Sequence, residues 1–389
     1  MPPPPPPSRW TRLPLMTLAL LALLLGLWAG LLRLGWRLPP LTPQLVLLHG
    51  PLMVTGFLGT LISLERAVAL SQAGKGRGIA YLAPLLAGLG MVALFLPVPA
   101  AIPRGLSTLG ALGLVLIFAI IYRLQPSLEH AIMSLGAGLW LVGNGLWLLG
   151  QPVFTAVPWW AGFLVLTIAS ERLELARVLV LKQSARRLLV ASVGVLLAGL
   201  VVSLLAYDPG VRLSGLGLAA LGLWLLRYDI ARRTVRQKGL TRYIALCLLP
   251  GYAWLLLGGL LWLIYGGGAP AGPAYDAMLH TVFVGFVFSM IFGHALIIIP
   301  AVMGVQLQYT PLFYLPLGLL HLSLLLRVAG DLFLRISGCV PQNPAAARNI
   351  LWEDVCGMLF AGRQWGGLLN EVAVLLFLFL VVFSALRKT

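Results

Sequence analysis

Residues 275–303 read YDAMLHTVFVGFVFSMIFGHALIIIPAVM. Apart from Tyr275, the only ionisable side chains in this stretch are Asp276, His280 and His294. Roughly 20 apolar residues suffice to cross a bilayer as a helix, and this run is longer. Hydrocarbon offers no partner to a backbone N–H or C=O, so a crossing segment is either a helix or part of a closed barrel. A barrel strand alternates apolar and polar residues, whereas this run shows no such alternation. It therefore predicts a spanning α-helix.

Working outward, runs of the same kind recur near 14–36, 43–70, 79–99, 104–124, 130–150, 154–180, 187–206, 211–230, 242–265, 310–336 and 366–386. Loop chemistry separates them: Pro39-Pro40, Gly74-Lys75-Gly76-Arg77, Pro97 to Pro103, Gln125-Pro126, Asp208-Pro209-Gly210 and Gly266 to Pro273. The fold class is all-α, a polytopic membrane protein of about twelve transmembrane helices. Composition agrees, with 60% hydrophobic and only 10% charged residues among 389, against roughly a quarter charged in soluble domains. Residues 1–13, which include Pro2 to Pro7, read as a disordered Pro-rich cytoplasmic tail. Residues 14–389 read as a single integral membrane domain with a periplasmic loop at about 337–365.

The net charge of +16 would suggest nucleic acid in a soluble protein. Here lysines and arginines mark cytoplasmic loops, and no nucleic-acid partner is expected. With the N-terminus inside, nineteen of them fall on the inner side and seven on the outer, with Arg327 left within a helix. That asymmetry predicts both termini in the cytoplasm. Cys339 and Cys356 share the long outer loop and could form a disulfide in an oxidising periplasm, or remain thiols. Cys247 reads as a small core residue.

One spacing recurs. Gly56-Phe57-Leu58 precedes Glu65-Arg66 on the second helix, Gly162-Phe163-Leu164 precedes Glu171-Arg172 on the sixth, and Gly285-Phe286-Val287 precedes His294 on the tenth. The interval to Glu65, Glu171 or His294 is the same each time, and the helices are four apart and run the same way. Three pseudo-repeats of four helices explain this, and coincidence of a common Gly-Phe pair is the rival account.

Ionisable residues at membrane depth are costly and each needs a reason. His49 and His280 lie near the outer starts of the second and tenth helices, at similar depth. Two imidazoles so placed suit axial ligation of one haem, and imidazole suits copper or non-haem iron as well. Two separate hydrogen-bonded interfacial histidines are the bland alternative. His294 lies roughly 21 Å further in than His280 and within about 40° of the same face, so it would serve a different metal centre. His321 is a further metal candidate at mid-membrane. Arg327 and Asp331, four apart, can pair on one helix face. Glu65 and Glu171 form part of an inner charged layer, either an anchor or a proton or ion path that Arg327 and Asp331 could extend. His130, beside Glu129, reads as a solvated interfacial histidine. Among Gly-rich and Ser/His/Asp patterns nothing supports a nucleotide or hydrolase site.

The stretch from Gly251-Tyr252-Ala253-Trp254 through His280, Gly285 and Met290 to Leu326-Arg327-Val328 resembles the NnrS family. That family has a Gly-Tyr-x-Trp helix, a His-x4-Gly-x4-Met helix and a helix ending in Leu-Arg-Val. His49-Gly50-Pro51-Leu52-Met53 is similar both to the NnrS second helix and to the His-Gly-x-x-Met segment of haem–copper oxidase subunit I. The resemblance implies a haem–copper-oxidase-like arrangement of helices and a bacterial inner-membrane protein carrying haem, of b type, with copper a further possibility. It implies a role in nitric oxide or denitrification physiology, or electron transfer with a periplasmic or membrane redox partner. The chain departs from NnrS where a Gly-His-Thr-Gly-Arg segment would come next: here Ile299 to Gly304 stands instead. The seventh helix has no histidine pair, so an oxidase copper–haem centre cannot be assembled as in the oxidases. A secondary transporter of a small solute or ion is the rival class, since twelve helices with internal repeats suit it.

Overall fold

A computed structural model describes residues 9–75, 78–175, 181–268, 270–337, 339 and 350–386. No strand occurs among them. The helices are α1 (Arg9–Arg33), α2 (Leu45–Gln72), α3 (Ile79–Ala93), α4 (Ala101–Leu124), α5 (Leu128–Leu148) and α6 (Val153–Leu175). They continue with α7 (Gln183–Leu205), α8 (Tyr207–Tyr228), α9 (Gly239–Tyr265), α10 (Pro273–Met303), α11 (Tyr314–Ile336) and α12 (Ile350–Leu386). Among the described residues, eleven helices are long and apolar enough to cross a membrane. The chain is an all-α polytopic membrane protein.

Several boundaries move, each for a local reason. The tail expected over 1–13 gives way to helix from Arg9, while residues 1–8 lie outside the described part. Arg12 Nη1 donates to the Val302 carbonyl at 2.8 Å and ties down that first turn. α1 stops at Arg33, and Gly35 takes φ +87°, a left-handed conformation that glycine adopts without cost. The third run, expected to reach residue 99, ends at Ala93 ahead of Pro97 and Pro99; its α part has 12 residues, roughly 18 Å. Asp208-Pro209-Gly210, expected as a loop, is the first turn of α8. Proline fits there because its missing N–H has no helical partner in any case. The Asp208 carboxylate accepts from Arg212 Nε at 2.8 Å. The expected loop at 337–365 is helical from Ile350 onward. A disulfide between Cys339 and Cys356, with Cα atoms 5.5 Å apart, joins the end of α11 to the first turns of α12.

α2 and α10 are not uniform. α2 opens with a 3₁₀ turn at Leu45–Leu48, runs as α-helix over His49–Pro51, widens to a π-helix at Leu52–Gly59 and returns to α-helix from Thr60. α10 is α-helical to His280, π-helical over Thr281–Phe288 and α-helical from Ser289. Both π stretches have 8 residues, with Gly-Phe at the fifth and sixth positions in each. Close packing explains why glycine stands there. A Cβ on Gly56 would lie 2.5 Å from Met91 Cγ, and one on Gly285 would lie 2.5 Å from Trp254 Cγ. α6, which carries the third Gly-Phe pair, is α-helical throughout.

Contacts divide the chain into two compact units. The first holds α1 to α6 together with residues 297–306, at and just beyond the end of α10. The second holds Leu34–Trp36, α7 to α9, α10 as far as Leu296, α11 and α12. Groups of four would divide the chain after the fourth and eighth helices; the contacts divide it after α6. Within the first unit, Leu15, Leu64, Val68 and Val302 form one buried cluster. Within the second, small residues let backbones close up: a Cβ on Gly259 would meet Ala219 N at 2.3 Å, and one on Gly199 would meet Ser214 N at 2.3 Å.

Candidate functional site

The two histidines near the starts of the π-containing helices each hold Nδ1 against a backbone carbonyl, one across helices and one along its own helix. In the first unit, His49 Nδ1 lies 2.7 Å from the Gly26 carbonyl of α1. In the second, His280 Nδ1 lies 2.8 Å from the carbonyl of Asp276, one turn earlier on α10. A carbonyl only accepts, so Nδ1 is the protonated nitrogen in both rings. In a neutral imidazole that puts the lone pair on Nε2, the tautomer that binds a metal or haem iron through Nε2. Metal-binding histidines commonly hold their other N–H in this way, which fixes the ring. His294, also on α10, has the same anchor: Nδ1 lies 2.9 Å from the Met290 carbonyl.

His321 is arranged the other way. Trp254 Nε1 donates to its Nδ1 at 3.1 Å, so the neutral ring carries its proton on Nε2, and that nitrogen is buried without a hydrogen-bond partner. The form that binds a metal at Nε2 is thus not the form this pocket holds. His130 is buried rather than solvated, at 6% exposure, with Nδ1 2.8 Å from the Gln125 carbonyl. Among the described residues, no group of three or more His, Cys, Asp and Glu side chains is gathered as a metal cage.

Around His280 the second unit collects charge. Arg327 grips Asp276 with two bonds, Nε to Oδ2 at 2.8 Å and Nη2 to Oδ1 at 2.9 Å. Arg363 Nε donates to Asp331 Oδ1 at 2.6 Å, and its Nη2 lies 3.6 Å from Asp276 Oδ1. Asp276 Oδ1 is in turn 3.4 Å from His280 Nδ1. The pairing expected along one helix between Arg327 and Asp331 is thus overlaid by stronger cross-helix bonds, to α10 from Arg327 and to α12 from Asp331. The sequence marks Asp276 only as an ionisable residue of its run and gives Arg363 no role. An aspartate one helical turn before a membrane-depth histidine was the available signal for the first.

In the first unit, Arg66 joins the two carboxylates singled out in the sequence. It is 3.1 Å from Glu65 and hydrogen-bonded to Glu171, with its guanidinium 5.8 Å from the centre of the Phe118 ring. Glu65 and Glu171 are therefore brought together, with a cation between them. The spacing of Glu174 and Arg177, three apart, permits a further pair on one helix face, and Arg177 lies outside the described residues. A further polar group surrounds the π stretch of α2. Asn144 Oδ1 accepts from Thr55 Oγ1 at 3.1 Å and from Trp160 Nε1 at 2.9 Å, while its Nδ2 donates to the Ser107 carbonyl at 3.1 Å. Asn144, Thr55 and Ser107 are fully buried. A lone asparagine in an apolar helix was the sequence signal for this network.

A family model described as a domain of unknown function (DUF8744) matches residues 12–339. No curated protein matches the chain. The matched span covers most of the sequence, and the chain belongs to that family.

Proposed function

We propose, for this member of a family with no assigned activity, an NnrS-like haem-binding role in a bacterial inner membrane. His49 and His280 each act as an iron ligand through Nε2. The observation that carries this reading is the shared anchor, Nδ1 held by a backbone carbonyl in both rings at the mouth of a π-containing helix. π turns are rare and recur at functional sites. Haem, when bound, would supply an iron that changes oxidation state. The chain's own part is to hold the two imidazoles as neutral donors and to keep Asp276 aligned beside His280 through Arg327. His294, anchored in the same way, suits a second centre such as copper. Electrons would pass to a periplasmic or membrane redox partner.

The orientation belongs to the same reading, with both termini cytoplasmic. The Cys339–Cys356 disulfide favours an oxidising compartment for the ends of α11 and α12 that it joins, the side on which seven of the lysines and arginines fall rather than nineteen.

An absorbance spectrum of the purified protein, oxidised and then dithionite-reduced, tests the proposal. A Soret band is expected. It should weaken in His49→Ala and in His280→Ala, and vanish in the double variant. An intact chain purified without a Soret band sinks the reading. The π interruptions in α2 and α10 favour one rival, a secondary transporter. Solute uptake by haem-free protein in liposomes would establish it.

A further inference from the structure

Where α7 begins and α8 ends, a cavity of about 840 Å³ opens in the second unit among Lys182, Arg227, Asp229, Arg232, Arg233 and Arg236. Five cations face one carboxylate, and that carboxylate is engaged: Asp229 Oδ1 accepts from the Ala231 N–H at 2.7 Å, at the start of the short helical turn Ala231–Thr234. The walls are braced. Trp224 Nε1 donates to the Ala185 carbonyl at 2.8 Å, pinning the first turn of α7 to the last turns of α8. Arg232 Nη1 donates to the Arg227 carbonyl at 2.9 Å, and the Arg227 guanidinium lies 5.4 Å from the centre of the Tyr228 ring. Lys182 and Ser184 bring the N-terminal end of α7, a 23-residue helix, to the rim. The positive end of its dipole adds to the field of the side chains.

Such a cavity selects an anion, and guanidinium forks match phosphate oxygens. Its setting narrows the choice. Below the rim, α7 presents Leu188 at 53% and Val190 at 50% exposure, and α8 presents Leu223 at 59%. In a spanning helix these side chains face hydrocarbon. One ligand class satisfies both regions, with its phosphate among the arginines and its acyl chains along the leucines. We propose that this cavity is a binding site for the headgroup of an anionic phospholipid. Positive charge at a helix end serves orientation on any membrane protein; a braced concavity with its carboxylate already engaged is more than orientation requires.

The test is native mass spectrometry of the full-length protein in detergent, titrated with phosphatidylglycerol, phosphatidylcholine or inorganic phosphate. Phosphatidylglycerol should bind at least about tenfold more tightly than phosphatidylcholine, in keeping with the pull of several clustered cations on an anionic headgroup. The triple variant Arg232→Gln, Arg233→Gln, Arg236→Gln should lose about tenfold or more of the phosphatidylglycerol affinity. Its phosphatidylcholine binding should not change. Arg186→Gln with Arg187→Gln removes two exposed cations of the same helix end that do not line the cavity, and should leave binding near the original value. An unchanged melting temperature in lipid-free detergent verifies the fold of each variant, and Lys182→Gln replaces the triple variant if that one does not fold. Equal phosphatidylglycerol binding by the original protein and the cavity variant overturns the proposal, as does an equal loss in the Arg186/Arg187 control. Displacement of the lipid by millimolar inorganic phosphate also overturns it, and assigns the cavity to a free anion.

Discussion

At the scale of single residues, the second unit buries paired charges. Arg327 is 7% exposed and Asp331 is fully buried. Removing one partner of a buried pair strands the other, at a cost of about 3–5 kcal/mol, whereas replacing both by apolar groups can be nearly neutral. Arg327→Ala should therefore lower the melting temperature in detergent sharply, and Arg327→Met combined with Asp276→Leu should recover much of the loss. If the double variant melts as low as the single one, the Arg327–Asp276 pair is not the interaction being lost. The partner of Arg327 could not be read from the sequence, because it lies 51 positions away; the i, i+4 rule pointed to Asp331, the nearest carboxylate on its own helix. The histidines were more legible. Membrane depth marks each as needing a reason, but the nitrogen that carries the proton depends on backbone carbonyls and on Trp254, which no spacing reveals.

At the scale of elements, hydropathy located the helices because length and apolarity are properties of a run. It missed the ends, which depend on single contacts. α12 begins at Ile350 although a loop was expected to residue 365. Its first half leans on α11, where Gly330 approaches Arg363 N so closely that a Cβ would stand at 3.1 Å. The π stretches left no trace in composition, since one extra residue in a turn changes neither apolarity nor charge. The Gly-Phe pair does not mark them either, since it recurs on α6, which is α-helical throughout. The disulfide between α11 and α12 closes a separation of 17 residues, which in a chain-entropy account contributes about 3 kcal/mol. Reductant should lower the unfolding temperature of the protein measurably. In Cys339→Ser the same reductant should have no effect, and a residual shift there would point to some other cause.

At the scale of the whole molecule, the charge count predicts an orientation. Single cysteines introduced at Gly74 and at Gly150, in a Cys247→Ala, Cys339→Ser, Cys356→Ser background, should label from opposite sides of intact cells. An impermeant maleimide should reach the residue at 150 and spare the residue at 74. Labelling at 74 instead would reverse the topology and with it the compartment assigned to His49 and His280. The division of the chain after α6 carries one more consequence, for the order of synthesis. The first unit includes residues 297–306, where Val302 joins Leu15, Leu64 and Val68 and accepts from Arg12. The ribosome makes residues 176–296 before it reaches them, a delay on the order of ten seconds at ordinary elongation rates. For that interval the first six helices sit in the bilayer with an open seam beside α1, and the half of the protein that is made first is the half that must wait to be finished.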